Sequence, residues 1–378
     1  MPRPLEMSVS RAALLLPLLL AACSSDDAAR STEASTDGGA SRDAAVSAFG
    51  KCSDAPPAGA TLAPDPRPYT GGSCPTLTTG ADAESHITSS GKDRSFMLIV
   101  PDEIRSGESL PLVFLWHWLN ASAKSFYDRA FVKDAVNQQR FIAVLPESIG
   151  TLISDWRGWF NLSPTSEADR DEEFAFFDDM LTCVSEQFPV NRNCVSSAGV
   201  SDGALWTSQL VGGRGEYLAS AIVLSGGVGG PDDPDPSGNL LRDYPGAEGA
   251  HRPPAIVLWG GPNDSFLGLM FQPATKALEQ HLTEDGHFIV ECQHNCGHDE
   301  PPFDAPPGKT KFAAFWDFVN DHPYWLAPGT SPYLETGKLP TTFPDWCGIG
   351  PGSATEREGG GCANLVGQAL GGGPKDGG

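Results

Sequence analysis

The sequence predicts an α/β fold in which helices cover both faces of a mainly parallel central sheet. Short apolar runs alternate with helical patterns through most of the chain, which is typical of such a sheet. The chain has 378 residues, and α/β domains often reach roughly 200–250 residues as one unit. We therefore expect one main domain, residues 51–322, with further segments before and after it.

The strands of this sheet are expected at short apolar runs. Seven runs are candidates: residues 96–100, 112–116, 141–145, 194–198, 221–225, 255–259 and 288–291.

The clearest helix precedes the strand at 194–198. Its apolar residues recur at three- and four-residue steps, at Phe174, Phe177, Leu181, Val184 and Phe188. Acidic residues stand at its start, where the helix dipole favours them. A later helix is expected to open near Pro273. A last one is marked by Phe312, Phe315, Trp316 and Val319.

Residues 1–22 have the layout of a signal peptide. Arg11 precedes an apolar run, residues 12–22, that is too short to span a bilayer as a finished helix. The run leads into Cys23 through Leu-Ala-Ala, which resembles the bacterial lipobox, where the cysteine is lipidated and becomes the mature N-terminus. An ordinary secretory signal is the alternative. Both interpretations predict export, and lipidation predicts attachment to the cell envelope through the N-terminal lipid only.

The two flanking segments differ in composition from the main domain. Residues 23–50 are rich in Ser, Ala, Asp, Thr and Gly with almost no large apolar residue, which predicts a flexible tether. Residues 323–378 are rich in Pro and Gly with scattered aromatics. They are expected to form an irregular C-terminal appendage, stapled by a disulfide of its own.

The charge balance excludes one class of partner. The formal net charge is −23 and the sequence pI is about 4.6. Nucleic acid and an anionic membrane surface would both be repelled, so neither is an expected electrostatic partner.

Eight cysteines remain when Cys23 is set aside, and an even number in an oxidising compartment is expected to pair. The connectivity does not follow from sequence. Short loops favour Cys52 with Cys74, Cys183 with Cys194, Cys292 with Cys296, and Cys347 with Cys362.

The residues Gly199 to Gly203 read Gly-Val-Ser-Asp-Gly and match the nucleophile elbow of the α/β-hydrolase fold. A serine hydroxyl is a poor nucleophile, and this elbow presents Ser201 on a strained strand-to-helix turn with glycines two residues either side. The context agrees, because a predicted strand ends at residue 198 and residues 204–210 can start a helix. An ordinary turn between a strand and a helix is the alternative.

In this fold the acid and the base follow the nucleophile in that order, each after a late strand. Asp264 follows the predicted strand 255–259 and is the expected acid, which orients the base and stabilises its imidazolium. A turn-forming aspartate is the alternative. The reserve candidates for the acid are Asp232, Asp233 and Asp235.

Two histidines after the last predicted strand compete for the role of general base. His298 is preferred because Gly297 lets the loop turn the imidazole back over the sheet, and His294 is the alternative. Cys292 and Cys296 alternate with these histidines, so the segment also resembles a metal-ligand cluster. Export makes disulfides the favoured interpretation, and no metal or other cofactor is expected.

An ester-cleaving serine enzyme needs two backbone N–H groups aimed at the oxyanion. Asp202, directly after the nucleophile, is expected to supply one. Leu119, in the loop 117–120 after an early strand, is expected to supply the other, with Trp118 as the alternative. The Asp202 carboxylate must point away from the developing negative charge.

Together these residues resemble the secreted esterases of the poly(3-hydroxybutyrate) depolymerase type, which include feruloyl and acetylxylan esterase relatives. The resemblance covers roughly residues 94–322. Besides the elbow and the Gly297-His298 loop, it rests on four segments: Arg94-Ser95-Phe96, residues 111–117, residues 144–147 and the Asp- and Phe-rich helix at 171–179. It departs from the family at Trp118, where many relatives have glycine.

The resemblance implies a serine esterase with Ser201, His298 and Asp264 as its triad and an acyl-enzyme intermediate. Its expected partner is an ester, either a small molecule or a polymer. A hydrolase-fold binding module without catalysis and a serine peptidase on the same fold are the alternatives.

Tryptophans near the predicted catalytic loops are candidate substrate-binding residues, since ligand pockets are mostly apolar. They are Trp118, Trp156, Trp159 and Trp206. A place in the core is the alternative for about half of these aromatics. Arg157 is expected either to meet a substrate carboxylate or, more simply, to form a surface salt bridge.

Overall fold

A nine-stranded sheet runs through the centre of the molecule. The structure is a computed structural model that describes residues 49–150, 155–158, 166–229 and 240–362. In chain order its strands are β1 (Ser85–Ser89), β2 (Lys92–Ile99), β3 (Leu110–Trp116), β4 (Ile142–Pro146), β5 (Val190–Val200), β6 (Ser220–Leu224), β7 (Ala255–Trp259), β8 (Ser265–Phe266), β9 (Leu269–Met270), β10 (Ile289–Gln293) and β11 (Cys347–Ile349). Strands β8 and β9 form a separate hairpin.

The spatial order of the large sheet is β1-β2-β4-β3-β5-β6-β7-β10-β11. The six strands from β4 to β10 in this order pair in parallel, whereas β1, β2 and β11 are antiparallel to their neighbours. The carboxyl ends of β5, β7 and β10 therefore lie at the same edge of the sheet. Loops that follow these strands can meet there.

Helices cover both faces of the sheet. In chain order they are α1 (Ala123–Arg129), α2 (Val132–Gln139), α3 (Glu167–Gln187), α4 (Asp202–Gly213), α5 (Phe271–Glu284), α6 (Ala313–Asp321) and α7 (Pro332–Thr336). Alternate residues of β3 divide between the two cores, as the two-residue period of a strand requires. Val113 and Leu115 pack with α1, α2 and α6, whereas Phe114 and Trp116 pack with α3, α4 and α5.

The seven predicted strands are confirmed, with ends that shift by up to four residues. Strands β3, β4, β6 and β7 are buried along their whole length, which explains their continuous apolar runs. Strand β1 was not predicted because its buried positions include Ser85 and Ser89. Two of its three inward residues are thus polar, and the apolar alternation that marks a strand is missing.

The predicted helix before the elbow strand is confirmed as α3. Its predicted apolar residues are buried at Phe174, Phe177, Leu181 and Val184. A capping box starts it, in which the Ser166 hydroxyl accepts from the Asp169 N–H and the Asp169 carboxylate accepts from the Ser166 N–H. The two later helices are confirmed as α5 and α6. None of the helices in the described ranges is long and apolar enough to cross a membrane.

The predicted link between Cys183 and Cys194 is wrong. Cys194 bonds to Cys52 and Cys183 bonds to Cys74. The physical reason is the path of residues 49–84, which lie along α3 and the start of β5. Thr70 N–H donates to Asp179 on α3, and Ala63 N–H donates to Asn193 on β5. This path brings Cys52 to Cys194 and Cys74 to Cys183, so Cys183 and Cys194 do not bond to each other across the short loop between them.

The other three short-loop pairs are also wrong, although all eight cysteines do pair. Cys292 on β10 bonds to Cys347 on β11, and Cys296 bonds to Cys362. The C-terminal segment has no disulfide of its own.

The described part of the C-terminal segment, 323–362, packs as part of the main unit rather than as an appendage. It supplies β11 to the sheet edge, and Tyr333, Phe343 and Trp346 are buried in the core beside α6. These contacts could not be predicted from the Pro- and Gly-rich sequence, because they are made by isolated aromatic residues that show no helical or strand period.

Candidate active site

Ser201 lies on the turn between β5 and α4. Its backbone has φ 54° and ψ −117°, a conformation that costs a residue with a side chain about 1–3 kcal/mol. Both neighbouring glycines are required by close approach. A Cβ on Gly199 would lie 2.1 Å from the Gly203 carbonyl oxygen, and one on Gly203 would lie 2.2 Å from the Trp116 carbonyl oxygen. The strained turn therefore fits only because two of its residues lack side chains.

Ser201, His298 and Asp264 form one chain of hydrogen bonds. The Ser201 Oγ lies 2.8 Å from His298 Nε2, and His298 Nδ1 lies 2.7 Å from Asp264 Oδ1. An ionised carboxylate can only accept, so it fixes the proton of the neutral imidazole on Nδ1 and leaves Nε2 to accept from the serine hydroxyl. The pairing thus orients the ring for removal of the Ser201 proton.

Asp264 is fully buried after β7, and its second carboxylate oxygen is also hydrogen-bonded. Oδ2 accepts from the Ser225 hydroxyl and from the Gly260 N–H, both at 2.7 Å. These two donors hold the carboxylate so that Oδ1 faces His298. Sequence reasoning missed Ser225, although a polar residue directly after the apolar strand β6 is the signal that could have found it.

His298 is held by the loop below it and by two phenyl rings. Gly297, with φ 65°, packs on Gly260 so closely that a Cβ on Gly260 would lie 1.8 Å from the Gly297 carbonyl oxygen. The imidazole stacks on Phe271 at a centroid distance of 4.1 Å and on Phe266 at 5.7 Å. The imidazole is thereby fixed in position as well as in tautomer.

His294, the alternative base, is fully buried. Its Nδ1 accepts from the Cys296 N–H at 3.1 Å, and burial lowers its pKa to about 4. The Ser201 hydroxyl instead hydrogen-bonds to His298 Nε2. Cys292 and Cys296 are both consumed in disulfides, which removes the thiolates that the metal-ligand alternative would use.

The loop after β3 contains the predicted oxyanion donor Leu119, and its neighbour Asn120 has φ 57°. The Asn120 N–H donates to Asp155 Oδ2 at 2.6 Å. His117, at the start of this loop, is fully buried, and burial lowers its pKa to about 4. Trp118 packs against Phe126 on α1, with the Arg129 guanidinium over its ring.

The Asp202 carboxylate faces the residues 155–156 rather than the serine. Its Oδ2 accepts from the Asp155 N–H at 2.8 Å and from the Trp156 N–H at 3.1 Å. Because Asp155 in turn accepts from Asn120, the two carboxylates connect the start of α4 to the loop of the predicted oxyanion donor. Asp155 is also buried, and this burial raises its pKa.

Two of the tryptophans predicted to bind substrate are core residues. Trp156 and Trp206 are fully buried and contact Trp116 edge to face. Trp156 Nε1 also donates to the His117 carbonyl oxygen at 2.8 Å. The substrate role is therefore wrong for both, because their rings fill the space behind the elbow. Trp159 lies outside the described residues.

Arg157 forms ion pairs with Asp169 and Glu172, which confirms the simpler of its two predicted uses. Other predictions lie outside the described residues. They are Cys23 with the signal segment 1–22, and the reserve acids Asp232, Asp233 and Asp235.

The strand order, the elbow and the position of the three hydrogen-bonded side chains define an α/β-hydrolase fold. Solved structures agree with this fold. "Crystal Structure of pOPH Native" superposes with a TM-score of 0.57 at 16% identity, and covers 74% of this chain and 97% of that one. "Crystal Structure of sOPH Native" gives a TM-score of 0.54 at 17% identity, with coverage of 75% and 99%.

Among curated proteins the chain is similar to Feruloyl esterase D of Neurospora crassa, with 28% identity over 178 residues. The match covers 43% of this chain and 56% of the relative, so the chain spans about half the length of the curated relative. No family model matches the sequence.

Proposed function

We propose that this protein is a serine hydrolase that cleaves carboxylic esters through an acyl-enzyme. The observation that carries the proposal is the hydrogen-bonded series Ser201, His298 and Asp264 at a strained elbow. A serine that merely ends a strand has no need of a positive φ or of a histidine oriented by a buried carboxylate. The similarity to Feruloyl esterase D supports an ester as the substrate.

In the proposed reaction Ser201 Oγ attacks the ester carbonyl carbon while His298 Nε2 takes its proton. Asp264 stabilises the imidazolium that forms. The tetrahedral intermediate then collapses, and His298 returns the proton to the departing alcohol. Water next enters, gives a proton to His298 and attacks the acyl carbon, which forms a second tetrahedral intermediate. This intermediate collapses as the bond to Ser201 Oγ breaks and His298 gives its proton to that oxygen, which releases the acid and restores Ser201.

The oxyanion of both tetrahedral intermediates would be met by two backbone N–H groups, from Asp202 and Leu119. Asp202 supplies its N–H from the first turn of α4, where the helix dipole also favours negative charge. Its own carboxylate is engaged by residues 155 and 156. The negative side chain therefore points away from the developing charge.

The proposal extends to the location of the enzyme. Residues 1–22 would direct export, Cys23 would carry the lipid, and residues 23–50 would tether the hydrolase domain to the bacterial cell envelope. Four disulfides support an oxidising compartment. Labelling of cells that express the full chain with a radioactive fatty acid should mark the mature protein that begins at Cys23, and Cys23→Ser should remove that label while the protein is still exported.

Fluorophosphonate labelling followed by peptide mapping tests the reaction class and the nucleophile together. We expect the probe on the peptide that contains Ser201, and loss of labelling and of aryl-ester hydrolysis in Ser201→Ala. A matched internal control exists, because the buried Ser331 also contacts a histidine, His322, at 2.7 Å. Its peptide should stay unlabelled.

Two results would reject parts of this proposal. Wild-type turnover in Ser201→Ala would remove the nucleophile assignment. A folded parent protein that neither reacts with the probe nor cleaves any ester would favour the binding-module alternative.

A further inference from the structure

The hairpin β8–β9 directly follows Asp264, and the turn Leu267-Gly268 joins its two strands. Both turn residues have positive φ, 50° for Leu267 and 86° for Gly268. A two-residue hairpin turn of this kind strongly favours Asn-Gly or Asp-Gly, because leucine pays a steric cost in the left-handed region. The leucine is therefore not explained by the turn.

Leu267 is also not explained by packing, since it is 69% exposed, the largest value among the exposed large apolar residues of the described ranges. An exposed leucine alone means little. Here an unfavourable backbone conformation and an unfavourable exposure coincide at one residue. Strained residues of this kind concentrate at sites that contact ligands.

The hairpin is physically joined to the catalytic histidine proposed above. Phe266 stacks on the His298 imidazole, and it lies opposite Leu269 in the hairpin register. The next residue after the hairpin, Phe271, stacks on the same imidazole, and its N–H donates to the Asp264 carbonyl oxygen. Partly exposed apolar side chains thus run from the base of the triad to the hairpin tip.

We propose that residues 265–270 form the wall that binds the apolar acyl or aryl group of the ester, with Leu267 as the contact at its tip. This inference rests on the proposed function for its choice of ligand. It moves the substrate-contacting residues from Trp156 and Trp206, which are buried, to a hairpin that the solvent reaches. The substrate class that fits is an ester with a bulky apolar chain or ring.

The variant Leu267→Asn tests the wall without weakening the turn, because Asn-Gly is the preferred sequence for it. The probes are p-nitrophenyl acetate, butyrate and octanoate. We expect kcat/KM for the octanoate to fall about tenfold and that for the acetate to change less than twofold, since only the longer chain reaches the tip. The melting temperature should stay the same or rise.

Leu334→Asn is the matched control. Leu334 is 50% exposed on α7 and lies outside the hairpin, so its substitution should leave the chain-length series unchanged. An equal loss on acetate and octanoate in Leu267→Asn, or no loss on either, would overturn the inference.

A binding measurement separates this inference from the proposed reaction. Calorimetric titration with p-nitrophenyl octyl ether, which cannot be hydrolysed, needs no turnover, and Leu267→Asn should weaken its binding about tenfold. If the parent bound the ether in this Leu267-dependent way but hydrolysed no ester, the reaction proposal would fail and the apolar site would stand. If the parent hydrolysed esters through Ser201 but the variant bound the ether unchanged, the apolar site would fail.

Discussion

The loops on the two sides of Ser201 are held by different means. On one side, residues 117–120 and 155–156 are fixed by hydrogen bonds to the buried carboxylates of Asp155 and Asp202. On the other side, the loop 294–298 is fixed by covalent bonds. Cys292 and Cys296, at and just beyond the end of β10, are both in disulfides with the C-terminal segment.

The position of each loop in the sheet accounts for the difference. Strand β3 lies between β4 and β5, so its loop lies against the first turn of α4, and side chains from that turn can reach backbone N–H groups. Strand β10 has only the three-residue β11 beyond it. The loop that follows β10 packs closely on one side, where Gly297 contacts Gly260 and His298 stacks on Phe271. The two disulfides add covalent support from the C-terminal segment at this edge of the sheet.

The C-terminal segment completes the covalent side. Beyond β11, the Arg357 N–H donates to the Gln293 carbonyl oxygen, and the Arg357 guanidinium donates to the Asn295 side chain at 2.8 Å. Residues 353–362 therefore act as a strap over the histidine loop, closed by the bond between Cys296 and Cys362. The comparison implies that reductants should disturb the covalent side of the site more than the hydrogen-bonded side.

The largest expected effect comes from removing the base on the covalent side. His298→Ala should lower kcat by about 10⁴-fold or more, because the proposed nucleophile loses the proton acceptor to which it is hydrogen-bonded. Steady-state hydrolysis of p-nitrophenyl butyrate measures this. The strap and both disulfides should remain, so the melting temperature should change little.

His294→Ala is the control for that experiment. His294 lies four residues earlier in the same loop, and its Nδ1 accepts from a backbone N–H rather than from Ser201. We expect a less than tenfold change in kcat. The reverse ranking of the two variants would assign the base to His294.

The second effect is the loss of the strap's cross-link. Because the bond between Cys292 and Cys347 stays intact, the bond between Cys296 and Cys362 closes a loop of only about 20 residues, for which the chain-entropy model gives about 3 kcal/mol of stability. The double variant Cys296→Ser with Cys362→Ser should lower the melting temperature. It should also lower kcat severalfold at a temperature where it is folded, because the loop of His298 loses its covalent support.

The pair Cys52 and Cys194 offers a matched comparison at the other end of β5, where the intact bond between Cys74 and Cys183 leaves a closed loop of about 35 residues. Its double serine variant should lose at least as much stability, as the longer loop predicts. Its kcat should be unchanged while it is folded. Equal kcat losses in the two double variants would show that the strap has no special effect on the site.

Much of the fold could be predicted because its signals are local. Strands such as β7 are apolar along their length, and α3 shows a clear helical period ending in a short connection to β5. The order Ser201, Asp264, His298 after three parallel strands is also readable from sequence, and the structure brings these side chains into one hydrogen-bonded chain.

The parts that could not be predicted depend on which distant segments meet. Cys183 bonds to Cys74 because residues 49–84 run along α3, and no local pattern encodes that path. Trp206 stands one turn after the nucleophile, but its helix face decides whether it fills the core or a pocket. Ser225 escaped notice because its role is defined by a carboxylate 39 residues away.

The third effect is acid sensitivity from histidines that are buried neutral on both sides of the site. Burial lowers the pKa of both His117 and His294 to about 4. Between about pH 6.5 and pH 4 the unfolded chain binds protons that the folded chain does not, so stability is present above pH 6.5 and is lost as pH falls toward 4. Each such histidine should cost about 2 kcal/mol of unfolding free energy between pH 7 and pH 5.

Urea unfolding at pH 7 and pH 5 checks this linkage. In His294→Ala the loss of unfolding free energy between the two pH values should shrink by about 2 kcal/mol, whatever the variant's stability at pH 7. Leu334→Asn, which removes no titratable group, serves as a control and should leave the difference unchanged. An unchanged difference in His294→Ala would contradict a neutral buried His294.

The smallest effect is expected on the hydrogen-bonded side. In Asp202→Asn the amide oxygen can still accept from residues 155 and 156, but the bonds lose their charge assistance, which is worth about 1 kcal/mol. If these bonds align the oxyanion donor, kcat should fall about fivefold with KM unchanged, because the oxyanion exists only in the transition state. Asp179→Asn, which alters a buried carboxylate on α3 that accepts from Thr70, is the matched control and should leave kcat unchanged. A rise in KM with constant kcat in Asp202→Asn would instead place these carboxylates in substrate binding, and the two sides of the site would then differ in purpose as well as in construction.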